Sequence, residues 1–131
     1  MNFNIIFAGV GGQGVLSLAG VITTAAHDAK LEIKQSEVHG MSQRGGAVYA
    51  SLRISDHPIA SPLVPRGKAN LLISLEPLEC LRYISELSPD AHIVASTSPF
   101  KNLPLYPNLE GVLAAVRALP HSHLVEDDRL A

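Results

Sequence analysis

The chain has 131 residues, 47% of them hydrophobic and only 5% aromatic, with no Trp, so it is long enough for one domain around an aliphatic core. A formal net charge of −2 and the lack of any basic stripe argue against nucleic-acid binding, and the single cysteine, Cys80, excludes an internal disulfide. No window reaches the roughly 18 uninterrupted apolar residues of a membrane helix. Met1–Asn4 also lacks the basic start of an export signal, so a cytoplasmic chain is expected.

Residues 3–8 (FNIIFA) read as a short buried strand, and residues 9–14 (GVGGQG) as a turn. Apolar positions at Val15, Leu18, Ala19, Ile22, Ala25 and Ala26 have helical spacing. A second strand is expected over 31–34, a polar loop over 36–46 and a third strand over 47–54. Three prolines make 57–68 an extended surface connection. Residues 69–75 (ANLLISL) read as a strand. A helix opening at Glu76-Pro77 follows, with Leu78, Leu81, Ile84 and Leu87 as its buried stripe. A short strand over 91–95, a proline-containing loop over 96–107 and a helix capped by Asn108 and stopped by Pro120 complete the pattern. The alternation predicts an α/β three-layer sandwich with a mostly parallel sheet of about five strands and a Rossmann-like opening of strand, glycine loop and helix. The tail, residues 126–131, reads either as frayed or as the start of further structure.

The glycine loop is the first candidate site. Gly9, Gly11, Gly12, Gln13 and Gly14 fall in a G-x-G-x-x-G pattern between a strand and a helix, where unpaired helix N–H groups and the dipole favour an anion. The competing reading is a tight turn that only lets helix and strand pack closely. A dinucleotide site would also want an acid about 20 residues on, at the end of the second strand. Glu32 and Glu37 are the candidates, and neither is well placed. An independent NAD(P)-binding oxidoreductase is therefore the alternative reading.

The second candidate is the loop SEVHGMSQRGG, which crowds an acid, an imidazole, hydroxyls, an amide and a guanidinium between two strands. GVGGQGVLSLAGVI, EVHGMSQRGGAV and SPLVPRGKANLLISLEPLECLR, in that order, closely resemble the gamma-type component of the 2-oxoacid:ferredoxin oxidoreductases, most of all its indolepyruvate branch. The resemblance covers most of residues 3–95. It implies one gamma-type domain over 1–131, C-terminally incomplete, because members of the family run further.

It also implies a job shared between subunits: oxidative decarboxylation of a 2-oxoacid to an acyl-CoA, with electrons passed to ferredoxin. Thiamine diphosphate, Mg and iron–sulfur clusters would sit on a large partner subunit. This chain would bind none of them alone, consistent with its lone cysteine, since a cluster normally takes a set of thiolates. It would complete the active site, with a possible contact to a CoA phosphate at the glycine loop.

His39 and Arg44 are the candidate catalytic residues, His39 as a proton carrier and Arg44 as a bidentate carboxylate or phosphate clamp. Glu37, Met41, Ser42 and Gln43 are expected to face partner or substrate. Glu76 reads as a helix cap and Cys80 as an inert packing residue. His121 and His123 make a poor metal pair.

Overall fold

A computed structural model describes residues 1–39, 46–100 and 106–126; the side chains of Val38 and His39 lie outside that description. The elements are β1 (Asn2–Val10), α1 (Val15–Asp28), β2 (Glu32–His39), β3 (Ala47–Ser55), β4 (Ala69–Ser74), α2 (Pro77–Leu81), β5 (Leu87–Ser96), α3 (Leu109–Arg117) and β6 (Ser122–Val125). They form a six-stranded sheet in the order β2-β3-β1-β4-β5-β6. β3 runs against both its neighbours, and β1, β4, β5 and β6 pair in parallel, so five strands point the same way.

The alternation along β1 builds two cores. Ile5 and Phe7 join Ala50, Leu52 and Ile54 of β3 beneath α1, through Val15, Ala19 and Ala26. Ile6 and Ala8 join Leu72, Ile93 and Ala95 on the opposite face, closed by Cys80 of α2 and Val116 of α3. A central strand buried on both faces reads as a continuous apolar run, as FNIIFA does. Each such large side chain contributes about 1.5–3 kcal/mol on full burial.

Three expectations need correction. The second strand is Glu32–His39, so Ser36, Glu37 and the His39 backbone belong to a strand and not to a loop. Eight paired positions with β3, from Glu32↔Ser55 to His39↔Val48, supply backbone bonds that outweigh the polar composition. Along it Gln35 satisfies its amide locally, accepting from Thr23 Oγ1 at 3.1 Å and donating to Glu37 Oε1 at 3.1 Å.

The helix after Glu76 spans only Pro77–Leu81, followed by a 3₁₀ turn at Ile84–Glu86. It buries Pro77, Glu79 and Cys80, and Leu87 starts β5. The third correction is a sixth strand, β6, which pairs in parallel with β5 (Ile93↔Ser122 to Ser96↔Val125). His121, at φ 54°, redirects the chain into it after Pro120.

Candidate functional site

The glycine loop joins the C-terminal end of β1 to α1. Gly12 and Gly14 sit at φ 95° and 88°, a region that side-chain-bearing residues resist. Gly9 serves a different purpose. A Cβ there would lie 2.6 Å from Val15 Cγ2 and 3.0 Å from Gln13 Oε1, so its lack of a side chain lets the helix seat on the strand.

Gln13 is spent on the loop itself. Its Oε1 accepts from Val10 N at 2.7 Å, and its Nε2 donates to Leu75 O at 3.1 Å, tying the ends of β1 and β4 together. Gly14 is the N-cap of α1 and no side chain caps that helix, so its first-turn N–H groups remain available to a ligand. They border an open cavity of about 190 Å³ lined by Val10, Gly11, Gly12, Gly14, Ser17 and Val48. Small-molecule sites commonly span about 300–1,000 Å³, so this one suits a phosphate-sized group better than a whole nucleotide.

The start of β3 brings the C-terminal flank of the second candidate loop to the same edge. β3 pairs with β1 through Val10↔Ala47, and Gly11 N donates to Gly46 O at 2.8 Å. His39, the last residue of β2, lies opposite Val48, which lines the glycine-loop cavity. The Gly46 flank of residues 40–45 is therefore bonded to the glycine loop, and the His39 flank stands one strand further out. Met41, Ser42, Gln43 and Arg44 themselves lie outside the described residues, as does the His39 side chain. Glu37 is an exposed strand residue engaged by Gln35.

Glu76, read from sequence as a cap, has a wider job at this edge of the sheet. It is 1% exposed, and its Oε1 accepts from Glu79 N at 2.9 Å, which caps α2. Its Oε2 accepts from Phe100 N at 3.1 Å and from Tyr106 Oη at 2.5 Å. One buried carboxylate therefore holds α2, the segment after β5 and the approach to α3. Burial, with the Glu76 hydrogen bond, pushes the Tyr106 hydroxyl well above the ordinary tyrosine range. Sequence spacing gave no sign of this, because the partners lie 24 and 30 residues away.

Cys80 is fully buried, and desolvation pushes its thiol up to about 12, which fits a packing residue. His92 brings a third imidazole to the pair noted in the tail. Its ring lies 4.8 Å from that of His121 and 5.9 Å from that of His123, tilted on one and stacked on the other. Among the described residues no group of metal-ligating side chains converges on a point that could hold an ion.

Residues 4–127 match the family model described as pyruvate ferredoxin/flavodoxin oxidoreductase. Indolepyruvate oxidoreductase subunit IorB of Archaeoglobus fulgidus is 39% identical over 123 residues, covering 89% of this chain and 60% of that protein. Its counterpart from Pyrococcus horikoshii is 40% identical over 116 residues, covering 84% of this chain and 57% of its own length. The chain thus spans about 60% of the length of the curated relatives it matches. The crystal structure of a keto/oxoacid ferredoxin oxidoreductase gamma subunit from Geobacter sulfurreducens PCA shares the fold, with a TM-score of 0.58 and 24% identity. That match covers 96% of this chain and 60% of the other.

Proposed function

The chain belongs to the pyruvate ferredoxin/flavodoxin oxidoreductase family, and from that premise we propose that it acts as one subunit of a cytoplasmic 2-oxoacid:ferredoxin oxidoreductase, with indolepyruvate as the 2-oxoacid. The observation that carries the reading is the junction of the two polar loops at the C-terminal edge of the sheet, through Gly11 N and Gly46 O. In open α/β sheets ligands bind at the carboxyl ends of the strands. Here that edge presents backbone donors from the glycine loop and the ends of β2 and β3 that flank residues 40–45.

Catalysis needs redox cofactors for which this chain has no fitting set. One cysteine, buried and with its thiol held protonated, cannot hold an iron–sulfur cluster alone. Thiamine diphosphate, Mg and the clusters would sit on a large partner subunit, which would pass electrons to ferredoxin. When bound there, those groups would supply decarboxylation and electron transfer.

The residues of this chain bind and orient. The first turn of α1 would accept a phosphate of CoA through backbone N–H groups, helped by the helix dipole. Arg44 would clamp a carboxylate or phosphate, and His39 would hold or move a proton at the junction with the partner. Glu37, Met41, Ser42 and Gln43 would face partner or substrate.

Reconstitution tests the proposal. The purified chain is expected to be colourless and to give no indolepyruvate-dependent reduction of a viologen dye. Addition of a thiamine- and cluster-containing large subunit, with CoA, is expected to restore turnover. Turnover by the lone chain, or an assembled enzyme whose activity ignores its presence, would overturn the reading.

A further inference from the structure

The opposite end of the sheet carries a second polar cavity, about 360 Å³ in volume, lined by Asn2, Asn4, Arg53, Pro65, Lys68 and Asn70. It lies at the start of β1, about 26 Å from the glycine loop at roughly 3.3 Å per residue, so one small ligand cannot touch both. Its volume falls within the range of small-molecule sites, about 300–1,000 Å³.

The lining is cationic and pre-arranged. Arg53 of β3 donates through Nε to Asn4 Oδ1 at 3.2 Å and through one terminal nitrogen to Ser61 O and Leu63 O, both at 3.1 Å. These partners are neutral oxygens, which fix the guanidinium plane without cancelling its charge. Asn4, 7% exposed, is itself locked, with Nδ2 donating to Lys68 O at 3.0 Å and its backbone N donating to Asn70 Oδ1 at 2.8 Å.

Register adds a second observation. Lys34 of β2 lies directly opposite Arg53, and like charges in that relation destabilise a sheet. Arg66 and Lys68 follow in the same connection that Arg53 fastens. The carboxylates at this end include Asp28 at the close of α1, Glu32, opposite Ser55, Asp90 near the start of β5, and Asp56, which already holds the Met1 amine at 2.8 Å and the His57 ring at 2.5 Å; none of them lines the cavity. Among the described residues, Lys34, Arg53 and Lys68 have no carboxylate within ion-pair distance. A cavity lined by two cations without an ion-pair carboxylate, one of them a fixed guanidinium, and by side-chain amides is matched by an oxyanion.

We propose that this cavity is an anion site for a phosphate- or carboxylate-bearing small molecule, held between Arg53 and Lys68 and hydrogen-bonded by the amides of Asn2 and Asn70. The site is separate from the edge assigned to catalysis and needs no cofactor to fill.

The test is a site-resolved NMR titration of the ¹⁵N-labelled full chain with inorganic phosphate and, separately, with citrate. Saturable shifts are expected in the side-chain amides of Asn2, Asn4 and Asn70 and in Arg53 Nε at millimolar anion. The Gly12 and Gly14 amides report the glycine loop independently. Tighter binding of citrate would mark a carboxylate ligand, and tighter binding of phosphate a phosphorylated one.

Lys68→Glu is expected to weaken the affinity about tenfold or more, roughly one decade per 1.4 kcal/mol. Its melting curve should be unchanged, because Lys68 is exposed and its recorded bonds are made by its backbone. The inference is overturned if no saturable shift occurs, if shifts are confined to the glycine loop, or if Lys68→Glu binds as well as the parent.

Discussion

Replacing Gly9 by Ala tests whether the glycine motif is built for packing as well as for ligand. Gly9 is a strand residue outside the positive-φ region. On backbone grounds alone alanine there would stabilise by about 0.4–1 kcal/mol, since the unfolded chain would have less freedom to lose. The surroundings decide otherwise. The new methyl would stand 2.6 Å from Val15 Cγ2 and 3.0 Å from Gln13 Oε1. Val15 is 3% exposed, and β-branched side chains in helices have little rotamer freedom, so it cannot step aside.

Gln13 could move only by giving up its bonds to Val10 N or Leu75 O. Overpacking costs about 1–3 kcal/mol, and a 2.6 Å contact belongs to the upper part of that range, about 2–3, which leaves a net loss of about 1–2.5 kcal/mol after the backbone gain. That corresponds to a melting temperature roughly 3–8 °C lower. Urea denaturation of Gly9→Ala, Val15→Ala and the double variant would isolate the contact. The double variant should be more stable than the sum of the single losses predicts, by at least about 0.5 kcal/mol. Strict additivity, or a Gly9→Ala chain as stable as the parent, would refute the packing account.

Tyr106→Phe removes one of the two donors on Glu76 Oε2 and leaves Phe100 N in place. A loss of about 1.5–3 kcal/mol is expected by thermal or urea unfolding, toward the low end because Tyr106 is only partly buried. Asp56 is held down to about 2 by hydrogen bonds from the N-terminal amine and then from His57. Its folded value lies below the unfolded one, so its contribution is full above about pH 4 and is lost as the pH falls through about 2. Unfolding curves across that window should therefore fall less steeply for Asp56→Asn than for the parent. Arg44→Ala should leave the stability of the lone chain within about 0.5 kcal/mol. In the reconstituted enzyme it should raise the KM for CoA or the 2-oxoacid, or weaken assembly, about tenfold or more. Arg44→Lys should recover only part, because an ammonium cannot replace the planar fork.

Much of the scaffold was legible because its signals are local. FNIIFA, GVGGQG and the spacing from Val15 to Ala26 mark β1, the turn and α1 without reference to anything distant. Asn108, whose Oδ1 accepts from Glu110 N at 2.9 Å, marks the start of α3 in the same way. What escaped the sequence depends on partners far along the chain. The second half of β2 is polar and becomes a strand only because β3 returns beside it. β6 is four residues long and exists by pairing with β5. Glu76 could be read as a cap from its neighbour Pro77, but its bonds to Phe100 and Tyr106 cannot be inferred from spacing. The glycine loop and the polar loop were each visible, whereas their contact follows from strand order alone.

That strand order also separates this chain from a dinucleotide-binding enzyme. In the mononucleotide half of a doubly wound sheet, the strand after the first helix lies next to the first strand. Its terminal acid then reaches the ribose of a cofactor whose pyrophosphate rests on the glycine loop. Here β3 is inserted antiparallel between β1 and β2. With strands about 4.8 Å apart, β2 is displaced to about 9.6 Å from β1. Glu37, the acid nearest its end, is correspondingly remote and already engaged by Gln35. The space beside the glycine loop is filled by the β3 end of the hairpin, with Val48 in the cavity wall and Gly46 O bonded to Gly11 N. An adenosine would meet backbone where a ribose pocket should open, while a terminal phosphate could still reach the first turn of α1. Fluorescence titration with NADH is therefore expected to show no binding in the micromolar range. A micromolar dissociation constant would mean that the inserted strand does not close the ribose position, and the case for a phosphate-sized site at this edge would fall with it.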